Sequence, residues 1–407
     1  MVCAKEDYGR AAVDRKLKLK EAFKNHTIFW QLGHAFDTMH DCFVWNNLAP
    51  EPMNFAKVVL NKYLNRHSLV NGEYDTGRDP WWYDDYGWWG IAALRASRAP
   101  KIWGEEYADY FEGIADLCWQ PMFRNAPYVW KNADQNFFKD YAPKFRWGVW
   151  NWLYSRDEIY GIPFTPSIPG MQDGLRGIQN TVTNGLYWVL TARLFHATGN
   201  SYYSDVVDKI LEFLRLWFSL DNDDYRLLNF YDSGRTDKAV VRERVGLYAS
   251  GNVVPGYRAN FAWTGDQGLV LGGLVDQMKI VGQGSEYAAL LDLAKKILAG
   301  VKDHLSDPKT QLLRPWAPYT DPDNPDSDHG APGGDVDDYM TGVAVFMRYL
   351  LYAFQTNADL KSYMATLGYR DWVCKNADYV LKHPADATKL IYLTNDLATL
   401  VTAVWMS

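Results

Sequence analysis

The 407-residue chain is short of cysteine, of strand-like alternation, of clustered positive charge and of long apolar runs, and each shortage excludes something. Cys3, Cys42, Cys118 and Cys374 lie far apart with no CxxC spacing, which argues against a metal or redox cluster. Cys42 and Cys118 read as small buried hydrophobes. A net charge of -7 argues against nucleic acid as a partner, because phosphate binding draws on clustered Lys and Arg. A neutral partner suits the chain better.

No stretch reaches the roughly 18 uninterrupted apolar residues that a bilayer span requires, and the first residues, MVCAKEDYGR, contain no apolar signal core. The expectation is a soluble protein with no transmembrane segment. Its compartment is left open: secreted, periplasmic or cell-surface if an export signal has been removed. The eight histidines form no HExxH or paired-ligand spacing, so no metal and no cofactor are expected. Neither GxSxG nor GxxxxGK[ST] occurs, which leaves serine-hydrolase and P-loop chemistry without a motif.

What the chain does contain is aromatic residues, 15% of the total with 18 Trp and 27 Tyr, and 48% hydrophobic residues, far too many for disorder. Helical periodicity recurs. Phe29, Leu32, Phe36, Met39 and Phe43 step by three and four along one face, and so do Val206, Ile210, Phe213 and Trp217. Other segments are apolar on most sides and rich in small residues, such as YGWWGIAALRA from Tyr86 and QGLVLGGLVDQM from Gln267, the pattern of a helix buried all round.

Read in order, the two kinds alternate. All-round apolar helices are predicted near 27–46, 82–98, 174–198, 260–281, 335–355 and 388–405. One-sided helices are predicted near 8–24, 52–65, 101–119, 201–218, 285–305 and 358–382. The predicted fold is all-α: an (α/α)6 toroid of six inner and six outer helices forming one domain over residues 1–407. An open solenoid is the competing architecture. It fits poorly, because the last helix is as apolar as the middle ones and lacks the polar face of a terminal cap. The long connections at 120–170, 219–257 and 306–334 are rich in Trp, Tyr, Asn, Asp and Pro and are expected to form cleft walls.

Parallel inner helices would gather their N-termini at one mouth. Polar clusters stand before four of them: WWYDDYGWWG at 81–90, GIQNTVTNG at 177–185, FAWTGDQGL at 261–269 and GGDVDDYMTG at 333–342. The most telling pair is Asp84 and Asp85, flanked by Trp81, Trp82, Tyr83, Tyr86, Trp88 and Trp89. Glycoside cleavage needs two carboxyl groups, about 5–5.5 Å apart for retention and farther apart for inversion. Adjacent residues at a helix start can span the shorter gap. The competing reading is an N-cap beside a first-turn acid favoured by the helix dipole. Aromatic walls stack on sugar faces and desolvate a carboxyl group, which holds one of a pair protonated near neutral pH. Each ring alone is equally an ordinary core residue.

Asn184, Asp266 and Gln267 offer groups suited to sugar hydroxyls or to capping. Asp335, Asp337 and Asp338 resemble a second source of carboxylate, again with capping as the alternative. The loop TDPDNPDSDHG has oxygens spaced for calcium but lacks the twelfth-position Glu of an EF-hand, so it reads as a solvated turn.

At these residues the sequence resembles glycoside hydrolase family 76, the endo-α-1,6-mannanases, which also includes fungal cell-wall transglycosidase relatives. The likeness is a set of ordered motifs from about residue 27 to 382. WWYDDYGWWGIAALRA resembles the family's aspartate doublet running into its inner helix. RWGVWNW and QNTVTNGLYWVLTARLFHATGNSYY resemble its Gly-Gly-aromatic segment and Asn-containing helix. WTGDQGLVLGGL resembles its Trp-Thr-Tyr-Asn-Gln-Gly segment, and GGDVDDYMTGVAVFMRYL its late Gly-Asp element.

The resemblance implies an (α/α)6 fold and retaining hydrolysis of α-1,6-linked mannose chains; a monomer acting without a cofactor is expected. Asp84 would be the nucleophile and Asp85 the acid/base. Tyr83, Trp88, Trp152, Asn184, Trp263, Asp266, Gln267 and Asp335 are expected at the substrate. The chain departs from the family pattern at Gly265 and Asp266 in place of Tyr-Asn, at Gln179 in place of Lys, and at Tyr339 to Gly342 in place of a Phe-Lys-Gly element. A glycan-binding protein without turnover and a transglycosidase are the alternatives.

Overall fold

A computed structural model describes residues 4–46, 51–64, 83–126, 147–149, 151–153, 176–178, 180–217, 228–229, 237–241, 243, 248–249, 252–253, 261–318 and 336–407. The helices are α1 Lys5–Asn25, α2 Phe29–Asn46, α3 Glu51–Lys62, α4 Tyr83–Ser97, α5 Pro100–Trp103, α6 Glu105–Asn125, α7 Thr181–Thr198 and α8 Ser201–Trp217. They continue with α9 Thr264–Val281, α10 Ser285–His304, α11 Val336–Met340, α12 Gly342–Thr356, α13 Ala358–Thr366, α14 Tyr369–Lys382 and α15 Leu390–Met406.

Six of these, α2, α4, α7, α9, α12 and α15, pack each against the next, and α15 packs back on α2. The ring is closed, so no terminal repeat is left bare, and the (α/α)6 toroid holds over the solenoid. The inner helices are parallel. Phe29 O accepts from Trp89 Nε1 near one end of α2 and α4, while Asp41 pairs with Arg95 near the other. Gly87 and Gly90 of α4 meet Leu186 and Leu190 of α7. Ala344 and Met347 of α12 bond to Asn395 and Thr402 of α15 in the same order. The all-round apolar segments form this inner ring because each inner helix touches neighbours on both sides and an outer helix behind.

Outer helices dock by their single apolar face: α1 on α15, α6 on α4, α8 on α7, α10 on α9 and α14 on α15. Buried ion pairs reinforce two of the outer joints. Arg15 of α1 reaches Asp396 of α15 at 3.0 Å, and the buried Lys16 reaches Glu51 of α3 at 2.7 Å.

Several boundaries differ from the sequence expectation for local reasons. The third inner helix starts at Thr181 because Asn180 caps it, accepting from Thr183 N at 3.1 Å. The fourth starts at Thr264 because Phe261–Trp263 is a strand. The fifth is broken at Thr341 into α11 and α12, and the last outer segment is broken at Gly368, whose φ of 67° no β-carbon residue adopts readily. The long connections carry short ribbons too brief to register as strand periodicity. These are β1 Asn151–Leu153 with β2 Arg176–Ile178, β3 Leu228–Asn229 with β4 Val240–Val241, β5 Tyr248–Ala249 with β6 Asn252–Val253, and β7 Phe261–Trp263 with β8 Trp316–Pro318, all antiparallel.

Close approach of α9 and α12 depends on Gly268, where an added Cβ would lie 2.8 Å from Phe346 Cα. Gly to Ala inside a helix ordinarily stabilises by about 0.5–1 kcal/mol. Here the obstacle is backbone, which cannot rotate away, and overpacking costs about 1–3 kcal/mol. Gly268→Ala is therefore expected to lower the thermal midpoint. A raised midpoint would mean that the two helices separate there at little cost.

Cys42 and Cys118 are buried free thiols, as their reading as small hydrophobes requires. Cys374 on α14 is disulfide-bonded. Among the described residues, no helix is long and apolar enough to cross a membrane, and no His, Cys, Asp and Glu group is arranged to hold a metal ion.

Candidate active site at the N-terminal mouth of the toroid

Asp84 and Asp85 are the second and third residues of α4, so the first turn of an inner helix presents both at the N-terminal mouth. Both are half-buried. Helix N-termini favour negative charge. Burial opposes it, and for Asp85 burial wins. Desolvation, the neighbouring Asp84 and Asp338 from α11 together hold the Asp85 carboxyl well above the usual carboxylate range. Asp85 therefore keeps its proton where an ordinary aspartate has lost it.

The aromatic residues around the pair divide by depth. Trp89 is fully buried, an edge of the core with its Nε1 bonded to Phe29 O at 2.8 Å. Trp88 is 3% exposed and packs against Trp30, with ring centroids 6.0 Å apart, and edge-on against His34 at 5.4 Å. Tyr86 is buried and its hydroxyl stays protonated, while Tyr83 is half-buried on the rim. Trp81, Trp82 and Asp335 lie outside the described residues, as does the Asp-rich loop at 321–330. Trp152 belongs to β1, whose backbone alone is described.

The amides singled out in the sequence sit at the mouth but face backbone. Asn184 accepts from Val149 N at 2.7 Å and donates to Val149 O and Asn180 O. Gln267 repeats the device one helix on, accepting from Val241 N at 2.8 Å and donating to Val241 O and Trp263 O. Asn395 does so again, between Ala344 N and Met340 O. Three inner helices thus use an amide side chain near the N-terminus to clamp the chain that crosses the rim. An amide matches a peptide group donor for acceptor, which makes it the natural clamp. Asp266 is fully buried in the first turn of α9. Trp263 is also buried, and its Nε1 donates to Tyr339 O at 2.8 Å.

Sequence reasoning missed the opposite end. From the middle of α2 and α12 to the C-terminal parts of α4, α7 and α9, Asp37 pairs with Arg95 and Arg348, Arg95 with Asp41, and Arg193 with Asp276, which also accepts from Tyr352. These pairs form a charged floor among the inner helices, below the mouth. His34, buried above Arg348, is held neutral by desolvation and by that guanidinium.

No protein-family profile matches the chain. In sequence it is similar to a Schizosaccharomyces pombe protein provisionally named a mannan endo-1,6-alpha-mannosidase, 24% identical over 229 residues. That stretch is 55% of this chain and 44% of the relative, so the match spans less than half of the relative's length. In structure it is similar to the α-1,6-mannanase GH76A of Salegentibacter sp. HEL1_6, with TM-score 0.55 and 13% identity over 98% of this chain and 100% of that one. The family 76 mannosidase Bt3792 of Bacteroides thetaiotaomicron gives TM-score 0.56 and 12% identity over 96% and 98%. Dfg5 of Chaetomium thermophilum, solved with glucosamine, gives 0.55 and 13% over 92% and 80%.

The fold is that of the family 76 glycoside hydrolases. In this chain Gly265 packs directly against the Trp263 indole. A Cβ there would lie 2.3 Å from the Trp263 ring, and one at Gly342 would lie 2.6 Å from Trp263 Nε1. The Trp263 indole fills the space that a side chain at 265 would need.

Proposed function

We propose that the chain is a retaining glycoside hydrolase that cleaves α-1,6-linked mannose chains at internal bonds, acting as a monomer and without a cofactor. The observation that carries the reading is the adjacent Asp84–Asp85 pair at the mouth of the toroid, one member of which is kept protonated by its surroundings. The names of the similar proteins agree with it. Inactive variants of the Salegentibacter mannanase, each with two consecutive aspartates replaced, were solved with α-1,6-mannotetrose and α-1,6-mannotriose.

In this mechanism Asp85 donates its proton to the glycosidic oxygen as the C1–O bond breaks, and the Asp84 carboxylate bonds to C1. The leaving chain departs as an alcohol. Water then attacks C1 of the glycosyl-enzyme, Asp85 takes the water proton, and Asp84 leaves as carboxylate, so the configuration at C1 is retained. The disulfide at Cys374 suits an oxidising compartment.

The test is incubation with linear α-1,6-mannan, reading reducing ends, product sizes and the anomer first formed. Mixed short oligosaccharides released as the α-anomer are expected. Calorimetric binding without new reducing ends would replace hydrolysis by glycan binding, and products longer than the substrate would replace it by transglycosylation.

A further inference from the structure

Beneath Asp84 and Asp85 a column of polar side chains runs down the axis of the toroid, and the mechanism just described uses none of it. Steps of three and four place Gln31, His34, Asp37, Thr38 and Asp41 along one side of α2, and Asp84, Trp88 and Arg95 along one side of α4. The two sides face each other. His34 meets Trp88 edge-on with ring centroids 5.4 Å apart, and deeper down Asp37 and Asp41 both pair with Arg95. Arg348 of α12 enters between these levels. Its Nη1 lies 2.8 Å from Asp37 Oδ2 and donates to His34 O at 3.0 Å.

That nitrogen does all the bonding of the guanidinium. Arg348 Nε and Nη2 are buried with no hydrogen-bond partner among the described residues, and so are both ring nitrogens of His34. The two residues are 5% and 1% exposed. Nε and Nη2 form the edge that an arginine ordinarily lays against a carboxylate, two parallel N–H groups at a fixed spacing. His34 is neutral, through desolvation and the nearby guanidinium, and a neutral imidazole adds one donor and one acceptor. Buried polar groups in folded proteins are hydrogen-bonded as a rule, and leaving a charged one dry is the costliest exception. A molecule from outside the chain therefore meets these groups.

Three observations fix its chemistry. The burial of both residues excludes a sugar ring. Asp37 already meets the charge of Arg348, so an anion on the opposite edge would have no cation of its own. The Arg348 edge donates, whereas His34 both donates and accepts, so the occupant must do both as well. Water satisfies all three, accepting from the guanidinium and donating to the unprotonated nitrogen of His34. Buried waters bind otherwise unpaired polar groups in this way.

We propose that the toroid axis between the doublet and the floor is a closed hydration site, with ordered water bound on the Nε–Nη2 edge of Arg348 and at the imidazole of His34. On α4, Trp88 stands between the doublet and this site. The site does not depend on the hydrolase reading.

Its test is a high-resolution crystal structure of the full chain grown from a bromide solution. Ordered water is expected within about 2.7–3.2 Å of Arg348 Nε or Nη2 and of a His34 ring nitrogen. A dry axis overturns the proposal. So does a bromide peak on the Arg348 edge, which would make this an anion site. In solution, oxygen-17 relaxation dispersion counts waters that stay bound for longer than the protein takes to tumble. His34→Phe, which removes both ring nitrogens and fills their space, is expected to lose at least one of them, and an unchanged count overturns the role of His34. Should His34→Phe fail to fold, the wild-type crystal structure decides alone. Absence of activity on mannan would count against the hydrolase reading and leave the hydration site standing.

Discussion

Asp84→Asn and Asp85→Asn are each expected to lower kcat/KM on α-1,6-mannan by about 10³-fold or more, with folding retained. Both substitutions are isosteric, and both side chains are only half-buried at the mouth, so little packing is disturbed. The two losses should differ in kind. In the proposed mechanism, loss of Asp84 removes the atom that bonds to C1, so every substrate suffers. Loss of Asp85 removes the proton donor, so the deficit should shrink on an aryl mannoside whose leaving group needs no proton. Equal deficits on both substrates would remove Asp85 from the acid role, and full activity in either variant would remove that residue from the mechanism.

The largest effect on stability is expected at Asp37. It is buried beside two guanidinium groups, 2.8 Å from Arg348 Nη1 and also paired with Arg95, and side-chain exposure is only 5% for Asp37 and 4% for Arg348. Burial alone would raise the proton affinity of Asp37. The Arg348 and Arg95 charges outweigh it, so Asp37 is held below the ordinary carboxylate range. Removing one partner leaves the other charge buried and uncompensated, which costs about 3–5 kcal/mol. Asp37→Ala should therefore lower the thermal midpoint by about 4–6 °C.

The pH dependence has a definite sign. A carboxyl with a depressed folded pKa contributes stability that is fully present above its unfolded value, near pH 4, and is lost as pH falls toward the folded value. Asp41 runs the other way, since burial raises it despite Arg95, and its ionised form weakens the fold at neutral pH. Asp37→Ala should flatten the acid side of the stability curve below about pH 4, and Asp41→Asn should cost far less than Asp37→Ala. Calorimetric scans from pH 3 to 7 measure both. Equal costs would mean that the floor is not held by Asp37.

The helices were legible because their signals are local. Segments such as QGLVLGGLVDQM are apolar on every side, and only a position between other helices satisfies that. Helix ends were less legible where a tertiary partner decides them. Phe261–Trp263 is a strand because Trp316–Pro318 lies beside it, 53 residues later, and no periodicity appears in three residues. Asp84 and Asp85 were legible as a pair because they are adjacent in the chain.

Other site features were not. Asn184 and Gln267 look like sugar-binding amides in the sequence, and only the structure brings Val149 and Val241 to them. Asp338 appears in the sequence merely as one of several acids in a late motif. Its hydrogen bond from Gln31 joins residues 307 positions apart.

The sequence by itself determined the all-α class, the alternation of inner and outer helices and the Asp84–Asp85 doublet, since each is written in neighbouring residues. Tertiary structure alone decided closure of the ring, the amide clamps at the rim and the Asp37–Arg348–Arg95 floor. The physical reason is range. Hydrophobic periodicity is a property of a single helix, whereas burial, charge pairing and proton affinity depend on which distant helices meet.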